Sequence, residues 1–301
     1  MNSNANPTAD HTATGICDCH VHVFDEPENY PFENAPAYEP PYAPVSALRN
    51  TADEAGIERL VLVQPTPYGR DLGLLLKSLN DFGDQARGIG VADATTTVDD
   101  LARMKKLGIR GLRFVENRLD DGTRMPGTTP LDVLLDHLAP KLAEIGMHAE
   151  IWAPLPVVLS HWSRLSRCGV RLVLDHMGSF DSSLGVNHEY FQRLLSLTRD
   201  GDVSVKLSIC RRPAKGQGFD TIRPFHDALV EANAGQLLWA TDFPFVRYPA
   251  PTPDVARLLS LFRSWINDTR LERQILLENP SQLYWANKLP ESEYVIDERL
   301  A

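Results

Sequence analysis

The sequence predicts an α/β protein, a (β/α)₈ barrel of the TIM type. Three observations carry this reading. Eight short apolar runs alternate with amphipathic stretches along 301 residues, the alternation that builds a parallel sheet with a helix after every strand. Histidines and acids gather at the C-terminal ends of several runs, where barrel enzymes place their chemistry. The first run leads into no glycine-rich phosphate turn, which a doubly wound open sheet would bring.

The expected strands are 16–23 (ICDCHVHV), 59–64 (RLVLVQ), 87–92 (RGIGVA), 110–115 (RGLRFV), 147–152 (MHAEIW), 171–175 (RLVLD), 203–207 (VSVKL) and 237–241 (LLWAT). Helical spacing fills 44–55, 70–83, 97–107, 130–145, 155–167, 187–199 and 221–233, with a final pair at 253–267 and 269–287. Strand one runs into a long Pro- and Tyr-rich loop, 25–43; loops of that length in compact domains are often functional. No repeat or linker divides the chain, so residues 16–301 are expected to form one barrel domain. Residues 1–15 are polar, lack the apolar segment of a signal peptide, and read as a disordered leader.

Composition excludes several roles. The chain is 43% hydrophobic and carries 40 acidic against 30 basic residues, a net charge of -10. Such a surface repels a phosphate backbone, so no nucleic-acid partner is expected. No apolar run reaches the roughly 18 residues of a membrane helix. Cys17, Cys19, Cys168 and Cys210 are too few and scattered for a disulfide framework and read as reduced thiols, consistent with a cytoplasmic protein.

The chemistry-bearing residues sit at the strand ends. In strand one, residues two apart share a face, so Asp18, His20 and His22 are expected to project together, and two imidazoles at that spacing can chelate one divalent ion. His148, Glu150 and Trp152 share a face of strand five; strand six closes on Asp175-His176 and strand eight on Thr241-Asp242. A barrel would gather His20, His22, Glu150, His176 and Asp242 at one mouth. A buried glutamate is costly unless paired or bound to metal. The rival reading of the same residues is an ion-pair network without metal. His148, below Glu150, reads as a support. His11, His137, His161, His188 and His226 lie in the leader or in helical stretches and read as structural or solvent-facing.

Arg113 and Arg118 end and follow strand four, Arg211 and Arg212 follow strand seven, and Arg247 follows strand eight. Arginines clustered at the mouth of an acidic protein suit a carboxylate or sulfonate.

The segments DCHVHVF at 18–24, LDHMG at 174–178 and WATDFP at 239–244 resemble the amidohydrolase superfamily, in particular its branch of lactonases acting on sulfomuconolactone and pyrone dicarboxylate. The likeness extends through VQPTPYGRD at 63–71, IRGLRF at 109–114 and LENPSQLYW at 277–285, nearly the whole chain. It implies an amidohydrolase-type barrel that hydrolyses a small anionic lactone, with Asp242 as the general base and His20, His22 and His176 polarising the carbonyl. Metal-free members of the branch have an apolar residue where Glu150 stands, so the resemblance implies that Glu150 joins His20, His22, His176 and Asp242 around an ion. Zn²⁺ is the first expectation, Mn²⁺ suits the same ligands, and a metal-free mechanism stays open. The likeness also assigns substrate contacts to Arg113, Arg118, Tyr38 and Trp152, the last replacing a tyrosine, with Thr66 replacing a serine. Together with Glu150, these changes favour 4-sulfomuconolactone over the pyrone dicarboxylate. A sugar-acid lactonase, a nonhydrolytic decarboxylase and a catalytically silent binding barrel are the alternatives.

Overall fold

The computed structural model describes residues 15–286; residues 1–14 of the expected leader, His11 among them, and the end of the 269–287 segment lie outside that range. Eight parallel strands follow chain order: β1 (Cys17–Val21), β2 (Arg59–Val63), β3 (Ala86–Gly90), β4 (Ile109–Val115), β5 (His148–Trp152), β6 (Leu172–Leu174), β7 (Val203–Leu207) and β8 (Leu237–Trp239). The seam between β8 and β1 closes through a parallel bridge of Val21 with Phe243 and two backbone bonds, His22 N to Phe243 O at 2.8 Å and Asp242 N to His20 O at 2.9 Å. All eight predicted strands are present with their ends within two residues of the expected ones, β7 matching at both ends and β3 and β4 starting one residue early, and the architecture is a (β/α)₈ barrel.

Helices follow the strands as the spacing predicts, with three local departures, the first being that the 155–167 stretch breaks at His161 into Leu155–Ser160 and Trp162–Leu165. Within 130–145 the helix widens into a π-type turn at Leu134–Leu138 just before Pro140. Proline has no N–H for the i−4 carbonyl, so the ladder must shift there. The 269–287 segment begins as Thr269–Arg273 and continues in π-type turns, Gln274–Glu278 and Ser281–Trp285, on either side of Asn279 and Pro280. This last segment packs beneath the barrel. Arg59 donates to the Leu277 carbonyl at 3.0 Å, Arg110 donates to the Tyr284 carbonyl at 3.1 Å, and Trp285 lies under the guanidinium groups of Arg59 and Arg87.

Two apolar layers hold the fold. The larger lies between strands and helices. The smaller joins Cys17, Cys19, Val61, Val63, Ile89, Val173, Leu238, Ala240 and Tyr284; residues from five strands can meet in this way only inside the barrel. Cys17 and Cys19 therefore face inward, as do His20 and His22 above them, whereas Val21 and Val23 belong to the outer layer. Strict alternation cannot satisfy both sets. The β1–β2 pairing register shifts between Asp18 and Val21, and that irregularity switches the strand's faces just below the site. The expectation that Asp18 shares a face with the two histidines is corrected accordingly. Asp18 instead ties β1 to the end of β8: its carboxylate accepts from Thr241 N at 3.0 Å, from His20 N at 3.1 Å and from the Thr241 hydroxyl.

Candidate active site

The strand ends converge on Asp242. Its Oδ1 lies 3.1 Å from His22 Nε2 and 3.5 Å from His20 Nε2, and its Oδ2 lies 3.9 Å from His176 Nε2. The Arg211 Nε–H also bonds Oδ2. All four of Asp242, His20, His22 and His176 are buried. His176 and Asp242 have φ of 51° and 66°, left-handed values uncommon for residues with a Cβ and frequent at sites where the backbone must aim a side chain.

Electrostatics follow from this crowding. Burial alone would raise the Asp242 carboxyl, but Arg211, His176 and the other groups around it outweigh it and hold the group well below the usual carboxylate range. Burial, reinforced by the Lys206 ammonium, pushes His20 well below the ordinary imidazole value; burial does the same to His176 against the pull of Asp242. Both rings are therefore neutral near neutral pH. His22 Nδ1 lies 2.7 Å from the Val63 carbonyl. A carbonyl only accepts, so Nδ1 carries the proton, and a neutral His22 turns its Nε2 lone pair toward the carboxylate. Two acceptors 3.1 Å apart need a proton or a cation between them.

A cavity of about 240 Å³ opens above this ring. Of the residues expected to contact substrate, Tyr38, Thr66, Arg113, Trp152, Arg211, Arg212 and Arg247 line it. Arg118 does not. Its loop turns back on itself, and the exposed guanidinium donates to the Gly122 carbonyl at 3.0 Å. Arg113 is buried, with Nε 3.3 Å from Asp175 Oδ2 and its guanidinium 4.9 Å from the Trp152 ring centre. Thr66 points its hydroxyl at the Tyr38 oxygen at 3.4 Å, and burial pushes the Tyr38 phenol up to about 12, so it remains a donor. His20 Nε2, His176 Nδ1 and Arg212 Nε are buried without a hydrogen bond among the described residues.

Glu150 faces the barrel interior as expected, but its carboxylate belongs to a second cluster beneath the ring. One oxygen bonds Lys206 Nζ; the other accepts from the Tyr284 hydroxyl at 3.0 Å and lies 3.3 Å from His148 Nε2. Lys206 also lies 3.2 Å from His20 Nδ1 and 3.4 Å from Asp175 Oδ1. Sequence reasoning missed Lys206 and Tyr284. The signal for Lys206 was present: in VSVKL, Ser204 and Lys206 occupy the face opposite Val203, Val205 and Leu207, and in a closed barrel that face is the inside. Tyr284 gave none, because nothing in a C-terminal helical stretch reveals that it inserts beneath the strands.

A parallel barrel with imidazoles and a carboxylate at its C-terminal mouth defines a class of hydrolytic barrel enzymes. The sequence model of the amidohydrolase family matches residues 17–285, and the chain belongs to that family. It is 27% identical over 285 residues to a 2-pyrone-4,6-dicarboxylate hydrolase of Comamonas testosteroni, covering 91% of this chain and 92% of that one. It is likewise 27% identical over 274 residues to a 4-sulfomuconolactone hydrolase of Rhizobium radiobacter, covering 90% of each chain. Its fold matches the crystal structure of a probable 2-pyrone-4,6-dicarboxylic acid hydrolase of Acinetobacter baumannii with citric acid bound, at a TM-score of 0.76, 24% identity and coverage of 91% and 100%.

Proposed function

We propose that this protein hydrolyses a small lactone bearing at least one strong acid group. The observation that carries the reading is the Asp242 carboxylate, ringed by three histidines, at the floor of a cavity lined by four arginines. The relatives that act on acidic lactones support it.

The donor set fits one metal ion. His20, His176 and Asp242 offer ligand atoms within 4.8 Å of one another, and His22 Nε2 shares the same Asp242 oxygen. Two ligands about 2.0–2.1 Å from a tetrahedral zinc ion are roughly 3.3 Å apart, close to the 3.1 and 3.5 Å separations on Oδ1. An ion held by His20, His22, His176 and Asp242 would polarise the lactone carbonyl and acidify water. Zinc suits these donors first and manganese second. We do not place Glu150 among the ligands, because Lys206, Tyr284 and His148 already take up its oxygens. With Glu150 removed from the argument, sulfonate and carboxylate lactones stand level as substrates.

The residues divide the reaction as follows. The free N–H groups of Arg212 and Arg247, with Arg113 and Arg211, hold the acid substituents and fix the ring over Asp242. Asp242 accepts a proton from the water that attacks the lactone carbonyl. The negative charge that develops on the carbonyl oxygen faces the His176 and His20 rings, buried and preorganised at that point. Asp242 then returns the proton to the ring oxygen as the C–O bond breaks, leaving a hydroxyl and a carboxylic acid whose remaining proton is lost to solvent. Cys17 and Cys19, side by side and unbonded, accord with a reducing compartment, and we place the enzyme in the cytoplasm. Among the described residues no helix is long and apolar enough to cross a membrane.

Product analysis in H₂¹⁸O tests the reaction type. Ring opening with one ¹⁸O in the new carboxylate and no carbon dioxide is the expected result. Carbon dioxide release would replace hydrolysis by decarboxylation on the same frame.

A further inference from the structure

The cluster beneath the ring has the composition of a second metal site. His20, Glu150 and Asp175 each present a ligand atom, all within 4.8 Å of one another and all buried. Binuclear centres are made of such donors, here beneath the first set and sharing His20 with it. The centre of this cluster is taken by the chain itself. Lys206 is fully buried, and its Nζ bonds Glu150 Oε2 while lying 3.2 Å from His20 Nδ1 and 3.4 Å from Asp175 Oδ1. The ammonium thus sits among the three would-be ligands, and His20 Nδ1, 3.1 Å from Asp175 Oδ1, donates to that carboxylate when Nε2 is left free for the upper ring. Charge agrees with this arrangement. Two carboxylates buried together are prohibitive without compensation, and among the described residues the lysine and arginine groups in contact with them are Lys206 and, on the far oxygen of Asp175, Arg113. The arrangement is also braced from below: Tyr284 and His148 both contact the Glu150 oxygen that Lys206 leaves free.

We propose that Lys206 is the resident cation of this second cluster, a positioning residue that fills the place of an ion, so that Glu150 and Asp175 serve as its counter-ions and any exchangeable metal is confined to the upper ring. Lys206 touches the upper ring at His20, whose opposite ring nitrogen it meets. The inference relies on the proposed metal reading for the upper ion alone; the lower cluster is tested by a difference in stoichiometry that does not depend on it.

The experiment removes the lysine and counts ions. Wild type, Lys206→Ala and the charge-balanced Lys206→Met/Glu150→Gln double variant are purified, stripped with chelator, and titrated with Co²⁺, with metal read by elemental analysis and by the visible Co²⁺ spectrum. Lys206→Ala should bind one equivalent more than wild type, with new visible bands, and the double variant should bind no more than wild type. If the upper ring holds no ion, the expected counts become zero for wild type and one for Lys206→Ala, so failure of the metal reading is seen separately. Stripped Lys206→Ala that folds only when Co²⁺ or Zn²⁺ is supplied is the same result reached through stability. The proposal is overturned if folded Lys206→Ala binds no extra ion. It is equally overturned if that variant stays unfolded with and without metal while the double variant folds, since an ion then cannot replace the ammonium.

Discussion

At the residue scale the proposed hydrolysis depends on Asp242, through which the attacking water and the leaving oxygen would exchange a proton. Asp242→Asn removes the acceptor while nearly preserving shape. The fold should survive by circular dichroism, and turnover should fall by ~10²–10⁴; residual activity near wild type would move the base to another group. Arg247 tests the anion site more cleanly than Arg113, whose guanidinium is committed to Asp175. Arg247 lines the cavity from an exposed position. Arg247→Met should raise KM for an acidic lactone roughly ten- to a hundredfold, the equivalent of one charge-assisted hydrogen bond, and leave a neutral lactone unaffected. His20, His22, His176 and Asp242 were legible in the sequence because each closes an apolar run, and barrel topology alone then brings such ends together. Arg118 was legible only as a neighbour of a strand end. The turn that carries it away from the cavity depends on loop geometry no spacing rule supplies.

At the scale of elements, two junctions hold the site. His148 lies against Gly111 of the neighbouring β4, where an added Cβ would sit 2.7 Å from the imidazole. Gly111→Ala should displace His148 from Glu150 and cost about 1–3 kcal/mol, as overpacking of a tight interior does; an unchanged urea midpoint would show that the ring moves freely. The second junction is Asp18 at the β1–β8 seam. Burial raises its carboxyl to about 7 from 3.8. A carboxyl raised on folding binds its proton more tightly in the folded state, so its contribution to stability is greatest below the unfolded value and declines as pH rises from about 4 to about 7. Asp18→Asn removes that titration. Relative to the variant, the wild type should lose on the order of a few kcal/mol across this window, and parallel pH–stability curves for the two proteins would contradict the assignment. The face switch in β1 was invisible to the alternation rule because the rule assumes an unbroken pleat. CDCHV reads equally well with either set inside until the partner register is known.

For the molecule as a whole, the eight strands were legible because each is a compact apolar run bounded by turn residues, and alternation with helical spacing leaves few ways to close. The base of the barrel was not legible. Tyr284 reaches Glu150 from a segment that reads as an ordinary terminal helix, and the Lys206 cluster it braces is assembled from β1, β5, β6, β7 and the C-terminal segment. Such a cluster has no local signature. The same separation of scales governs charge. A net charge of -10 repels an anion on average, so selectivity for an acidic substrate must come from the short-range field of the arginines at the mouth. The most direct test compares kcat/KM for 4-sulfomuconolactone, 2-pyrone-4,6-dicarboxylate and a neutral aldonolactone under one set of conditions. At least one acidic lactone should exceed the neutral compound by roughly tenfold or more for each arginine contact it makes; equal or better turnover of the neutral lactone would contradict the account.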